Sequence, residues 1–290
     1  MTRIVIFTDG PDWHSRRLAA AFERRGAVAL VCSLRDCVFR VGEGGSGISI
    51  PGIDGGLPDA VLVKTIAGGT FEQVTLRLSF LHALAALGVP VINSARAIER
   101  CVDKSMTSFL LHRAGIPTPV TVVGERDQAI SQLIGAGSSE WVAKPLFGSQ
   151  GRGLARLRPN DPLPPAELYA GVRYIQHFVG RNEGWHDYRV MVVGRSPVAA
   201  MIRHGKDWIT NVGRGARCEA ASISARMAEL SLAVVEAIGA EYAGIDMIER
   251  PDGAFYVLEA NSMPAWKGLQ SVASCDIAQT LADHVLGFVA

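Results

Sequence analysis

The segment from Gly244 to Asn261 constrains this chain more than any other. It sets two runs of apolar and aromatic residues on either side of Pro251-Asp252-Gly253. An Asp-Gly pair between such runs is a strong hairpin signal. With Asp252 and Gly253 as a two-residue loop, pairing outward sets Arg250 against Phe255, Ile248 against Val257 and Asp246 against Glu259. Side chains alternate along a strand, so Asn261 shares a face with Glu259 beside Asp246, while Met247 and Leu258 point the other way. Two carboxylates ~5 Å apart at an effective dielectric of ~20 repel by roughly 3 kcal/mol, so the pair calls for a cation or a shared proton. Asp246, Glu259 and the Asn261 amide oxygen are hard donors of the kind that bind magnesium together with water and phosphate oxygens. A solvated hairpin face is the plain alternative, and the strongly apolar context weighs against it.

Elements earlier in the chain supply a place for such a site. Arg3 to Thr8 reads as a buried strand and Asp12 to Gly26 as a helix. Strands follow at Ala27 to Ser33, Ala60 to Lys64 and Val89 to Ile92, with a helix over Phe71 to Leu87. Strands alternating with helices predict a parallel sheet covered on both faces, an α/β arrangement. The turn from Asp9 to Trp13 lacks the glycine spacing of a dinucleotide fingerprint, which disfavours a plain oxidoreductase. Residues 41 to 58, rich in Gly and Pro, read as an exposed loop without a legible role. The character of the chain changes near residue 97. The segment from Ile98 to Lys104 leads into a helix that closes at Gly115, where glycine followed by Pro117 is a stop signal.

The strand Trp141 to Lys144 leads into a loop holding Gly148, Ser149, Gln150, Gly151 and Gly153. Closely spaced glycines can turn several backbone N–H groups toward one anion, and Lys104 and Lys144 strengthen a phosphate reading over that of a plain flexible turn. Short strands are predicted at Tyr174 to Phe178, His186 to Val193 and Val198 to Arg203. Period two puts Asp187 and Arg189 on one face, either lining a cavity or paired at the surface. Arg203, Asn211 and Arg214 offer donors for carboxylate or phosphate. Helices over Ser222 to Gly239 and Ile277 to Phe288 complete the chain. A formal charge of +1 over 290 residues gives no reason to expect nucleic acid or an anionic membrane as partner. Five cysteines without a Cys-x-x-Cys pair fit a reducing compartment, and with no signal peptide or spanning segment in view the expected location is the cytoplasm.

Taken in order, these pieces resemble the ATP-grasp superfamily, and within it the RimK-type α-L-glutamate ligases. The likeness is carried by Asp103-Lys104 with Gly-Ile-Pro-x-Pro downstream, Val-Ala-Lys144 before the glycine loop, Asp187-x-Arg189, Asn211 in its glycine-rich loop, and Gly-Ile-Asp246 with Glu259-Ala-Asn261. It is clear from Ala60 onward and diffuse before. The chain departs from the usual pattern at the hinge, where Gln176-His177 replaces Gln-Glu, in one extra residue between Gly184 and Arg189, and in Gly215-Ala216 where Gly-Gly is usual. The resemblance implies a three-subdomain ATP-grasp fold: an N-terminal Rossmann-like subdomain (1–97), a central lid (98–178) and a C-terminal subdomain with the metal site (179–290), ATP lying between the last two. It implies that Lys104 and Lys144 contact ATP phosphates, that Gly148 to Gly153 cover them, and that Gln176, His177 and Phe178 meet adenine through the backbone. Asp187 would line the nucleotide or acceptor pocket, and Asp246, Glu259 and Asn261 would hold two Mg2+ ions, or Mn2+. Arg189, Arg203, Asn211 and Arg214 would hold phosphate or incoming glutamate. The implied reaction phosphorylates a carboxylate and displaces the phosphate with the amine of L-glutamate. The acceptor, expected to be a small pterin-like cofactor carboxylate, would be selected by the N-terminal subdomain and the turn from Asp9 to His14. A D-alanine–D-alanine-type ligase and a non-catalytic ATP-binding regulatory protein are the competing readings, and homo-oligomerisation is left open.

Overall fold

The computed structural model describes residues 1–42, 45–135, 138–148, 150–180 and 184–289. Strands β1 (Arg3–Phe7), β2 (Val28–Cys32), β3 (Val38–Phe39), β4 (Ile48–Ser49), β5 (Ala60–Val63) and β6 (Val91–Ile92) occupy the first third, with α1 (Trp13–Arg24) and α2 (Phe71–Ala86) between them. The order β2-β1-β5-β6 is parallel throughout. Strands β1 and β5 carry almost continuous apolar sequence because both their faces are covered. Helix α1 begins where the Asp12 carboxylate accepts the Ser15 N–H at 2.7 Å and the Ser15 hydroxyl accepts the Asp12 N–H at 2.8 Å. This reciprocal cap satisfies donors that a helix start leaves orphaned.

The expected loop over residues 41 to 58 is partly built: β4 pairs antiparallel with β3, and Ile50 is buried against the sheet. Isolated apolar residues in a glycine-rich stretch were enough to anchor it, a signal that periodicity does not register. The helix expected after Lys104 and closing at Gly115 is α4 (Lys104–Arg113), and the segment leading into it is itself helical, α3 (Ala95–Val102). Asp103 separates them and caps the second, its carboxylate accepting the N–H of Ser105 at 2.8 Å.

A second sheet runs in the order β7-β10-β8-β9, from β7 (Thr121–Gly124), β8 (Trp141–Lys144), β9 (Ala155–Leu157) and β10 (Arg173–His177), all antiparallel. Helix α5 (Asp127–Ile134) covers it through a small core of Ile130, Ala143, Leu157, Tyr169 and Ile175. The third sheet, β13-β12-β11-β14-β15, comprises β11 (His186–Val193), β12 (Ser196–His204), β13 (Arg217–Ala220), β14 (Tyr242–Glu249) and β15 (Phe255–Asn261). On one face lies α6 (Ala225–Ile238), joined by Leu111 of α4 and by Ile116. On the other, α7 (Lys267–Gln270) and α8 (Ile277–Leu286) share a core with α1 and the parallel sheet. No helix among the described residues is long and apolar enough to cross a membrane.

Asn93, fully buried after β6, ties the parallel sheet to the third sheet. Its amide donates to the carbonyls of Tyr242 at 2.8 Å and Ser262 at 2.6 Å. Its oxygen accepts the N–H groups of Glu241 at 2.6 Å and Tyr242 at 3.2 Å. Replacing Asn93 with Ala strands four backbone groups without partners. The expected result is a loss of about 3 kcal/mol or more in urea denaturation, with the slope unchanged.

Candidate active site

The β14–β15 hairpin brings Asp246 opposite Glu259, but by a different route from the one two-residue pairing suggests. Gly253 adopts a φ of +81°, its N–H bonds to the Arg250 carbonyl at 2.9 Å, and the Arg250 N–H bonds to the Ala254 carbonyl at 2.7 Å. The loop is therefore Pro251-Asp252-Gly253, a type I turn closed by a left-handed glycine. Ile248 pairs with Tyr256 and Glu249 with Phe255, so the expected Ile248–Val257 and Arg250–Phe255 pairs do not form. A bulge restores the acidic pair: Met247 faces Val257, Asp246 faces Glu259, and Leu258 is the extra residue. Leu258 consequently turns into the cleft beside Glu259, whereas Met247 stays in the core as expected.

The cleft, about 1020 Å³ including its mouth, lies between the second and third sheets. Lys104, Lys144, Gly148, Gln150, Gly151, Gln176, His177, Phe178, Asp187, Arg203, Asn211, Asp246 and Glu259 all line it. Four other residues singled out from sequence are not part of that lining. Arg189 is buried beneath it, and Asn261 reaches the Glu259 carboxylate with its amide at 3.5 Å. Arg214 is exposed, donating to the Gly151 carbonyl at 3.4 Å, and Gly153 packs against the Pro145 ring, which a Cβ would approach to 2.8 Å. Ser149 lies outside the described residues.

The charged residues do not pair as neighbours on one strand. Asp187 and Arg189 each reach across to the adjacent strand instead. Arg203 of β12 grips Asp187 through both of its forks, with Nε to Oδ1 at 2.7 Å. Arg189 grips Asp246 through Nε at 2.6 Å and Nη2 at 2.7 Å, and Arg203 Nη2 reaches the same carboxylate at 3.0 Å. Burial alone would raise the Asp246 carboxyl, but the two guanidinium groups overcome it and hold the group below the usual carboxylate range. The countercharge that Asp246 requires is thus already present in Arg189 and Arg203. Among the described residues Glu259 has no such clamp. Burial and the facing Asp246 push its pKa up, against the pull of Lys104 and Lys144.

Both lysines face this pair. Lys144 donates to Gln176 Oε1 at 2.6 Å, and burial lowers its pKa to about 8. Lys104 donates to the carbonyls of Leu146 at 3.1 Å and Gly148 at 2.8 Å, pinning the glycine loop from below. On the far side that loop meets the second glycine-rich segment: a Cβ on Gly151 would lie 2.5 Å from Ile209 and 2.6 Å from Asn211 Oδ1, so only glycine fits. At the hinge, the N–H groups of His177 and Phe178 bond to the carbonyls of Val120 and Glu140, both at 2.8 Å. Backbone donation to a base at those two positions, as the sequence suggested, is therefore already taken up.

An aromatic rim went unnoticed in the sequence. Phe178 stands 6.0 Å from Trp208 and 6.3 Å from Trp185, and Arg156 lies 3.8 Å over its ring while paired with Glu140. Two tryptophans inside polar, glycine-containing stretches were the available clue. For a divalent ion, the chemistry of the donors fits. Asp246 has lone pairs beyond those its arginines occupy, Glu259 opposes it, and Asn261 adds an amide, all oxygen donors suited to magnesium. Among the described residues, however, no three His, Cys, Asp or Glu side chains gather to cage a metal by themselves. The ionic quartet also yields a stability test. Arg203→Met leaves two buried carboxylates short of a partner and is expected to cost about 3–5 kcal/mol in urea denaturation. The double variant Asp187→Asn/Arg203→Met is expected to lose less than the sum of the single changes.

Residues 101–285 match the RimK-like ATP-grasp domain model and residues 2–98 the RimK PreATP-grasp domain model. A tetrahydromethanopterin:alpha-L-glutamate ligase of Methanococcus maripaludis is 39% identical over 210 residues, covering 69% of this chain and 70% of its own length. A protein of the same name from Methanosarcina acetivorans is 27% identical, covering 97% of each chain. The solved structure of the ATP-grasp ligase PsnB complexed with minimal precursor, Mg and ADP superposes with a TM-score of 0.76 at 23% identity, covering 99% of this chain and 98% of that one. Taken with the fold and cleft described above, these matches establish that the chain belongs to the RimK-like ATP-grasp family of ligases.

Proposed function

We propose that this protein joins L-glutamate through its amine to a carboxylate of a pterin-like small molecule, using ATP and forming ADP and phosphate. The observation that supports this reading best is the convergence of Lys104 and Lys144 on the Asp246–Glu259 pair within one cleft. The glycine loop closes one wall of that cleft and the aromatic rim stands at the hinge. The names of the methanogen relatives support glutamate as the amine and a pterin as the acceptor. The minimal precursor bound by the structural neighbour PsnB belongs to a protein whose likeness to this chain, at 23% identity, shows the fold alone.

In this reading the acceptor carboxylate oxygen attacks the γ-phosphorus of ATP. The bond from that phosphorus to the β–γ bridging oxygen breaks, leaving an acyl phosphate and ADP. The glutamate amine then attacks the acyl carbon, phosphate departs, and the amine gives up its proton to solvent. Phosphoryl transfer of this kind asks a protein mainly to position groups and to neutralise charge. Lys104 and Lys144 hold the phosphates, and Gly148 to Gly153, with Ser149 included, cover them. Gln176, His177 and Phe178 border the base with side chains and carbonyls. Asp246, Glu259 and Asn261 would hold two Mg2+ ions, which would supply neutralisation of phosphate charge. Arg189 and Arg203 set Asp246 and Asp187 in place, and Arg214 and Asn211 join the two glycine-rich segments over the substrates. The division into subdomains at 1–97, 98–178 and 179–290 is part of the same proposal.

The test is ligation itself. Phosphate release should require glutamate together with tetrahydromethanopterin, and mass spectrometry should find the pterin one glutamyl residue heavier. Release with alanine instead of glutamate would favour the D-alanine–D-alanine type, and tight ATP binding with no turnover on any carboxylate would favour a regulatory protein. Glu259→Gln is expected to abolish turnover while leaving the melting curve and far-UV spectrum intact; wild-type rates would contradict the metal assignment. Lys144→Met should lower kcat/KM for ATP by about 100-fold or more, as expected for loss of a charge contact that strengthens in the transition state.

A further inference from the structure

The carboxyl ends of β1 and β5 gather a second polar cluster that the ATP chemistry leaves unused. Lys64 follows directly on β5 and is only 3% exposed, its backbone fixed by an N–H bond to the Phe7 carbonyl at 2.8 Å. Among the described residues, no carboxylate or carbonyl lies within ion-pair or hydrogen-bond reach of its ammonium. The nearest acid that acts on it, Asp12, has its carboxylate committed elsewhere: it caps α1 through the Ser15 N–H and holds His14 Nδ1 at 3.0 Å. His14 Nε2 accepts the Trp266 N–H at 3.2 Å, which leaves the proton on Nδ1 and makes the imidazole neutral. Lys267 adds a second cation 6.0 Å from the Trp13 ring, and the hydroxyls of Thr8 and Thr65 sit 3.1 Å apart at the same sheet end.

A buried ammonium without an anion is costly, and here burial pushes Lys64 down to about 8. Lys64 faces the capped start of α1, in the crevice at the carboxyl ends of parallel strands where open α/β sheets take ligands. Two links join this crevice to the ligase cleft. The Tyr242 hydroxyl of β14 donates to the Val63 carbonyl next to Lys64 at 2.6 Å. The Ala265 carbonyl, one residue before Trp266, accepts from Arg189 at 3.5 Å, and Arg189 grips Asp246. Of the three reactants in the proposed reaction, ATP is accounted for by Lys104 and Lys144, whereas Arg189 and Arg203 are taken up by Asp246 and Asp187. The acceptor must carry a carboxylate and has no assigned anchor.

We infer that Lys64, in the crevice formed with Thr8, Thr65 and His14, binds a carboxylate of the acceptor molecule and so helps to select it, an inference that rests on the ligase reading above. Two measurements test it. Lys64→Met keeps the buried stem and removes the charge. It is expected to raise KM for tetrahydromethanopterin by about 30-fold, with KM for ATP and for glutamate within about twofold of wild type, a split that general loss of structure would not produce. Separately, in the wild-type protein with ADP present, acetylation of Lys64 by acetic anhydride is followed by peptide mass spectrometry. Tetrahydromethanopterin, or glutarate as a bare dicarboxylate probe, should slow it by about fivefold or more, and glutamate should not. Unchanged KM for the pterin, protection by glutamate instead, or no protection by either probe would overturn the inference. Should wild-type protein fail to glutamylate tetrahydromethanopterin, the proposed function falls, and the glutarate arm alone then decides whether Lys64 holds a carboxylate.

Discussion

Everything in the cleft depends on the buried exchange of charge among Asp187, Arg203, Asp246 and Arg189. These four side chains come from three adjacent strands, and each carboxylate meets a guanidinium fork from the neighbouring strand. A bidentate pair fixes direction as well as distance, because the planar fork and the carboxylate must be coplanar. With Asp246 held from below, Glu259 is left to face the cleft with no arginine fork of its own, opposite two lysines that burial has made poor at holding charge alone. The site is thus built with an unmet electrostatic demand on both sides. A polyphosphate on the lysines and a cation on the acids would meet it.

Packing fits that arrangement. The third sheet and the parallel sheet share one core through α1 and α8 and are cross-tied by Asn93, so Lys64 and the acidic pair belong to one connected body. The second sheet packs on its own small core and meets the rest near the cleft through the Lys104 contacts, the Ser108–Tyr174 hydroxyl bond, the Phe178 ring against Trp185 and Trp208, and the glycine loop against Ile209 and Asn211. Sheets joined by so few contacts are suited to opening and closing around a nucleotide, whereas the fused pair supplies a fixed base.

Much of this was legible in the chain. Alternation and capping signals located the parallel strands, the central strand ending at Lys144 and the acidic hairpin. The pairing of Asp246 with Glu259 came out correctly although the turn is one residue longer than a simple Asp-Gly loop, because the bulge at Leu258 offsets the longer turn. Sequence periodicity cannot reveal such a compensation, since it is decided by which apolar side chains fill the core. Partnership was harder still. Period two put Asp187 and Arg189 on one face, but cross-strand register, a tertiary property, gave each its partner from a neighbouring strand. Trp185 and Trp208, like Ile50 in the loop after β3, acquire a role only once distant segments meet. Lys64 was visible as a strand end, and its lack of a paired carboxylate among the described residues became apparent only with Asp12 seen committed to His14 and the helix cap.

The central claim is that the acceptor carboxylate is activated as an acyl phosphate before the amine attacks. It is tested most directly by enriching that carboxylate in oxygen-18, running one round of ligation with glutamate, and weighing the released phosphate. The account predicts one labelled oxygen carried into each phosphate. Phosphate free of label, with the heavy oxygen that the acceptor loses on forming the amide found in water instead, would contradict it.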